Sequence, residues 1–342
     1  MLAIVAEPPA ILLDVPEPIS MSFRALVVDP RGGPVDYTWS FCPVESNNAC
    51  ADYEQRRAAA GADDGPALDL MRAIAQSGTA VPKNEAEPPP PLSWWATRAV
   101  WPYAVPELTI AAPEQLWHYH FATSFLGMGL GAWPAATLQV AGADDTVTAE
   151  KRVVLGVRDL RRFVEFWGAA LPYRVCPDGM TPAEVPGCLN IKNMPQNRNP
   201  VFAAVKVAEG KNATEPVWTE VEIGQPGDVA GLAYLQAGAS IRVLPEFTAE
   251  SYQPYQVVKG DLVNGTLFTE DRVEELSVSW FTTAGKTAED LTWPKFTKSL
   301  DTSYTAPEEP PAATDGRVTI FMVARDQRGG ESVMSLELIV RP

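Results

Sequence analysis

The chain has 342 residues, 46% hydrophobic and 20% charged, which is enough material for roughly two domains at ~150 residues each. Its net charge is −16, from 43 acidic and 27 basic residues, which argues against a broad positive surface for nucleic acid or anionic lipid. No apolar run reaches the ~18 residues of a membrane-spanning helix. Met1 runs directly into Leu-Ala-Ile-Val-Ala-Glu-Pro-Pro, a strand entering a turn rather than a signal peptide; a chain whose export signal has been removed has this form.

Residues 2–42 read as three strands. The first is Leu2–Ala6. The second covers 19–28 and places Ile19, Met21, Phe23 and Ala25 on one face. Asp29-Pro-Arg-Gly-Gly-Pro34 is a turn. The third covers 35–41, with Val35, Tyr37, Trp39 and Phe41 alternating inward and Trp39 expected to fill the centre between two sheets. Residues 43–112 break this rhythm and read as an insertion. Segments 52–60 and 66–76 have short helical character, 82–91 is a polyproline-type stretch, and Trp94, Trp95, Trp101 and Tyr103 follow it. Pro113 in the first turn, Glu114 at the dipole's positive end and Gly127 at the stop predict a helix over 113–126. Residues 135–141 and 147–155 then form a closing hairpin around Gly142-Ala-Asp-Asp145.

Residues 157–196 read as a connector, with an amphipathic helix over 159–170 and a cysteine-bearing loop after it. Strands are expected at 201–207, 218–223, 239–247 and 276–281, the last carrying Trp280 as the counterpart of Trp39. Residues 248–272 read as a long polar loop. The last stretch, 317–340, alternates Val318, Ile320, Met322 and Ala324 with polar or larger partners. It turns at Asp326-Gln-Arg-Gly-Gly330 and alternates again through Met334, Leu336, Leu338 and Val340, a β-hairpin with one buried face.

Both halves repeat one order: opening strand, long alternating strand, Trp strand, variable material, closing hairpin. The expected fold class is therefore mainly β, two Ig-like β-sandwich domains with a partly helical insertion and a helical, disulfide-containing connector. The first domain spans 1–156, the connector 157–196 and the second domain 197–342. The segments Ala25-Leu-Val-Val-Asp-Pro-Arg-Gly-Gly33, Asp36-Tyr-Thr-Trp-Ser40, Ala149-Glu-Lys-Arg-Val-Val154, Asn197-Arg-Asn-Pro200 and Val323-Ala-Arg-Asp-Gln-Arg-Gly-Gly330 resemble bacterial surface lipoproteins built from Ig-like or PKD-like domains. These segments specify turns and strands, not chemistry. The resemblance implies export to the outer membrane, cell surface or periplasm. It also implies tethering through a lipidated cysteine upstream of residue 1, and other envelope proteins or surface glycan as partners.

The four cysteines fall in two close pairs, Cys42/Cys50 and Cys176/Cys188. Disulfides, free thiols and zinc are the competing readings. Zinc sites favour C-x₂₋₄-C spacing, which neither pair has, whereas even, loop-placed pairs fit local disulfides in an exported protein. His118 and His120 would share a face on a strand, but on the helix expected here they face apart and would not share a metal. No G-x-S-x-G elbow and no H-E-x-x-H occurs. Glu274/Glu275 and Glu308/Glu309 read as solvated. Asp144, Asp145, Asp63 and Asp64 lie outside any D-x-[DN]-x-[DN]-G calcium loop. Asn212-Ala-Thr and Asn264-Gly-Thr match glycosylation acceptors, with Asn264-Gly265 read in preference as a tight turn. Trp94, Trp95, Trp101 and Tyr103 are the binding candidates, since aromatic faces stack on sugar rings or hold a partner's side chains. The reading is a non-enzymatic exported binding or scaffold protein of the cell envelope with no cofactor. Its rivals are a carbohydrate-binding or carbohydrate-active protein and a calcium-dependent adhesion module.

Overall fold

The computed structural model describes residues 2–12, 20–27, 35–42, 96–100, 107–111, 135–142, 145–152, 154–156, 174–177, 179–192, 195–210, 216–221, 233–261 and 266–342. The first half contains β1 (Leu2–Glu7), β2 (Ala10–Leu12), β3 (Ser20–Val27), β4 (Asp36–Cys42), β5 (Ala96–Val100), β6 (Glu107–Ala111), β7 (Ala135–Ala141), β8 (Thr146–Arg152) and β9 (Val154–Gly156). They form an antiparallel sheet in the order β1-β3-β6-β5 and another in the order β4-β7-β8, while β2 pairs parallel with β9. Lettered A to G along the chain, the two sheets read ABED and CFG, the constant-type immunoglobulin arrangement.

Alternation explains why these sheets face each other. Ile4 and Ala6 of β1, and Met21, Phe23 and Ala25 of β3, point the same way and are buried against Ala136, Leu138 and Val140 of β7. Removing this apolar area from water at ~25 cal/mol per Å² drives the closure. Trp39 packs against this core with its ring 6.3 Å from that of Phe23. It is only half-buried, and its indole N–H has no partner among the described residues. The span 43–112 is not all insertion: β5 and β6 complete the first sheet, with β6 paired to both β3 and β5. The helices expected at 52–60, 66–76, 113–126 and 159–170 lie outside the described residues.

Two short parallel strands, β10 (Arg174–Val175) and β11 (Cys188–Leu189), lead toward the second half. A disulfide joins Cys176 to Cys188 across a Cα–Cα distance of 4.8 Å. Cys42 ends β4, and Cys50, its expected partner, lies outside the described residues.

The second half contains β12 (Phe202–Glu209), β13 (Thr219–Val221), β14 (Ala233–Gln236), β15 (Ser240–Phe247), β16 (Pro254–Asp261), β17 (Thr266–Val273), β18 (Ser277–Thr282), β19 (Lys286–Thr287), β20 (Leu291–Thr292), β21 (Thr302–Thr305), β22 (Arg317–Arg325) and β23 (Glu331–Arg341). Its sheets run β13-β12-β15-β21-β19 and β14-β23-β22-β18-β20. The terminal hairpin β22–β23 is antiparallel throughout, and β14 adds to β23 in parallel. This too is an Ig-like sandwich. Trp280 is its centre, 2% exposed, and donates its indole N–H to Thr292 Oγ1 at 2.9 Å. Tyr304, fully buried, donates to the Ala284 carbonyl at 3.0 Å. Val278, Ile320, Met322, Leu336 and Leu338 close around them.

Residues 248–272 are not a polar loop. Most of that span is the antiparallel hairpin β16–β17, in register from Pro254↔Val273 to Asp261↔Thr266. It leaves the sandwich between β15 and β18 and lies beside the connector, where Gln256 replaces a neighbouring strand. Its buried amide accepts from Lys192 N at 3.0 Å and donates to the Asn190 carbonyl at 3.1 Å and to Asp271 Oδ1 at 3.0 Å.

Candidate functional site

The chain segment 195–200 lies where the two sandwiches meet, and its polar side chains bond to both. Gln196 Nε2 donates to the Ala10 carbonyl at 2.7 Å. Asn199 Nδ2 donates to the Ala6 carbonyl at 2.8 Å and to Glu7 Oε2 at 2.7 Å, while its Oδ1 accepts the Glu331 N–H at 2.8 Å. Across the same junction, Lys151 of β8 reaches Glu331 of β23 at 3.1 Å with both side chains more than nine-tenths buried. Arg325 Nε joins the same carboxylate at 3.1 Å. Buried charges are tolerated when paired and hydrogen-bonded in this way.

The β22–β23 turn is built to enter this junction. Asp326 Oδ1 accepts the N–H groups of Arg328 and Gly330, each at 2.7 Å, and its Oδ2 accepts from Asn197 Nδ2 at 3.2 Å. Gly329 has φ +95°, and a Cβ there would lie 2.5 Å from Val154 Cγ2 of the first sandwich. A Cβ on Gly330 would overlap the Asp326 carboxylate and approach the Arg198 carbonyl to 3.0 Å. The double glycine therefore serves the contact between sandwiches as well as the turn.

Arg328 points back into the protein. Its Nη2 donates to the Pro195 carbonyl at 2.6 Å, its Nη1 to Glu274 Oε1 at 3.0 Å, and its guanidinium lies 5.2 Å from the Tyr255 ring centroid. Glu274 is not solvated as expected: its side chain is 1% exposed. Its Oε2 accepts the Gln253 N–H at 3.2 Å. Burial, and then the nearby charge of Asp326, push the Glu274 carboxyl up to about 7, with Arg328 opposing them. Period-two alternation could have found it, since stepping back from Trp280 through Val278 and Leu276 lands on residue 274. Glu275, one step out of phase, is exposed and accepts from Trp293 Nε1 and Gln327 Nε2, each at 3.1 Å. Glu308 and Glu309 are exposed, as expected.

Beside the junction, a cleft of about 390 Å³ opens between the connector and the base of the β16–β17 hairpin, lined by Lys192, Pro195, Tyr255, Gln256, Asp271 and Arg272. Its charged groups are already paired: Lys192 with Asp271 at 2.5 Å, Arg272 with Glu270 at 3.0 Å.

An aromatic strip lies on the outer face of the sheet containing β18. Trp280 and Val278 point inward, so Phe281 points out, opposite Phe321 of β22. Leu291, paired with Ser279, and Trp293 extend the strip to the sheet edge, where Phe296 packs edge-on against Trp293 at 4.9 Å. Phe281, Leu291 and Phe296 are 38%, 49% and 72% exposed. Sequence reasoning missed this strip because its members come from separate segments, at 281, 291–296 and 321, and only the register assembles them.

The expected binding residues Trp94, Trp95, Trp101 and Tyr103 lie outside the described residues, as do His118, His120 and Asp144. Among the described residues, no group of three or more His, Cys, Asp or Glu side chains could hold a metal ion.

The strand orders define the class: two Ig-like sandwiches in one chain. No protein-family model matches the chain, and no curated protein matches it. Among solved structures, it is similar to a nucleoside hydrolase-related hypothetical protein from Saccharophagus degradans, with 12% identity over 43% of this chain and 26% of that one, at a TM-score of 0.21. It is also similar to the Ig1-2 module of the Drosophila receptor protein tyrosine phosphatase DLAR, at 10% identity, 100% and 99% coverage and a TM-score of 0.22. The titin domains z1z2 in complex with telethonin give 10% identity, 99% and 96% coverage and a TM-score of 0.20. At TM-scores this low, none of these likenesses bears on the function of this chain.

Proposed function

We propose that this chain is a non-enzymatic binding or scaffold module that holds its two sandwiches as one unit and works outside the cytoplasm, in the cell envelope. The junction supports the reading. A flexible string of domains needs only a polar linker, whereas here Asn199, the Lys151–Glu331 pair and the Gly329–Val154 contact fix one sandwich on the other. The Cys176–Cys188 disulfide supports an oxidising compartment.

The aromatic strip is the surface that this unit presents, since exposed apolar patches on soluble proteins mark interaction sites. Its occupant is a different protein rather than a second copy, since at −16 two copies repel.

Small-angle scattering of the full chain tests the fixed unit. The profile should fit a single arrangement of the two sandwiches, and Asn199→Ala should broaden it. A wild-type profile that demands many orientations would overturn the proposal.

A further inference from the structure

We propose that the Glu274 carboxyl is a proton-operated latch on the junction: when protonated it leaves the closed junction free of surplus buried charge, and when ionised it loosens it. The inference rests on reading the junction as a fixed contact. Glu274 sits between the β16–β17 hairpin and the sandwich, and several elements pack on it. From the β22–β23 turn come Arg328 and Asp326, and from the residue before β16 comes the Gln253 N–H. Tyr255 of β16 lies against the Arg328 guanidinium. Glu275 turns outward to Trp293 and Gln327. Lys151, Arg325 and Glu331 make their own cluster further along β23.

The groups that face Glu274 are thus one guanidinium and one other carboxylate. With Glu274 ionised, two negative charges share one positive charge around a carboxylate that is itself out of water, and a buried surplus charge is costly. One proton cancels it. Arg328 also holds the Pro195 carbonyl, so the charge balance around it reaches the segment that joins the sandwiches. The Gln253 side-chain oxygen, buried with no donor among the described residues, shows that this pocket has acceptors to spare.

The sign follows from linkage. Opening the junction hydrates Glu274 and returns it to the ordinary range near ~4.3, whereas in the closed state it is pushed up to about 7. The closed state binds the proton more tightly. Closure is therefore favoured as pH falls from about 7 toward ~4.5, and that advantage is lost as pH rises through about 7.

Hydrogen exchange of the amides in 196–199, measured on the full chain from pH 5.5 to 8.5 and corrected for intrinsic rates, tests the latch. Wild type should show protection on the order of tenfold greater at pH 5.5 than at pH 8.5, and Glu274→Gln should show protection independent of pH. Parallel profiles for the two proteins overturn the latch. Absence of protection at every pH instead overturns the fixed junction on which it rests. Should Glu274→Gln fail to fold, wild type labelled with carboxyl-¹³C glutamate replaces it: one carboxyl titrating near pH 7 is expected, and none titrating above about 5.5 refutes the latch.

Discussion

Arg328 shows how much a single side chain can join. It touches a carboxylate, an aromatic face and a backbone carbonyl from three different segments. Arg328→Ala should cost about 3–5 kcal/mol at pH 8, because it leaves Glu274 buried without its cation. The loss should shrink at pH 5.5, where a proton neutralises the carboxyl. Urea unfolding at the two pH values measures the difference, and equal losses would show that Glu274 stays in one protonation state. Arg328→Lys keeps the charge but not the fork that reaches both Glu274 and Pro195, so it should fall between the two. Gly329 makes a second residue-scale case. At φ +95° any side chain is strained, and here it also meets Val154. Gly329→Ala should destabilise by roughly 1–3 kcal/mol. Val154→Ala should recover part of that loss in a double-mutant cycle, and an additive pair would mean the turn does not press on the first sandwich.

At the scale of elements, the β22–β23 hairpin was legible because one face is buried along its whole length, from Val318 to Ala324 and from Leu336 to Val340. The β16–β17 hairpin was not. It stands clear of both sheets, so its strands lack the alternation that burial imposes. They are instead held by side chains such as Lys259 on Glu270 and Gln256 on Asp271. The strands β5 and β6 were hidden for a different reason: they are short, and a long span of other sequence separates them from β3, to which β6 pairs. The two tryptophan strands also differ. Trp280 is sealed with its N–H satisfied, so Trp280→Ala should cost about 3–5 kcal/mol. Trp39→Ala should cost less, since its ring is only half-buried and its N–H has no partner among the described residues. Thermal melts of both variants decide the order. On the outer face, Phe281→Ala and Phe296→Ala should leave the melting temperature nearly unchanged while weakening capture of a partner, with Phe268→Ala on the hairpin as the control.

At the scale of the whole molecule, the two apolar cores share no residue among those described. A fragment spanning 197–342 should therefore melt in one cooperative step, although without Pro195 as a partner for Arg328 and without Lys151 as a partner for Glu331. A broad, non-cooperative melt would show that the sandwiches depend on a common core. Intact mass after alkylation without reductant should show no labelled thiol, and label on Cys176 or Cys188 would contradict the bond seen between them.

The turn at residues 326–330 has one more consequence. In a sandwich of this kind the loops at the two tips are its most adaptable parts, and recognition there is end-on. Here the β22–β23 turn of the second sandwich is pressed against Val154 and the Pro9 carbonyl of the first, and the β16–β17 hairpin that joins β15 to β18 lies along the connector. Both tip loops at that end already face inward on the same chain. Those two loops are therefore closed to an end-on partner, and one that engages the aromatic strip on the outer face of the sheet containing β18 lies alongside the molecule rather than capping that end. Flank contacts leave the ends of the molecule uncovered, so a row of such molecules could be tiled along an extended partner without one copy blocking the next.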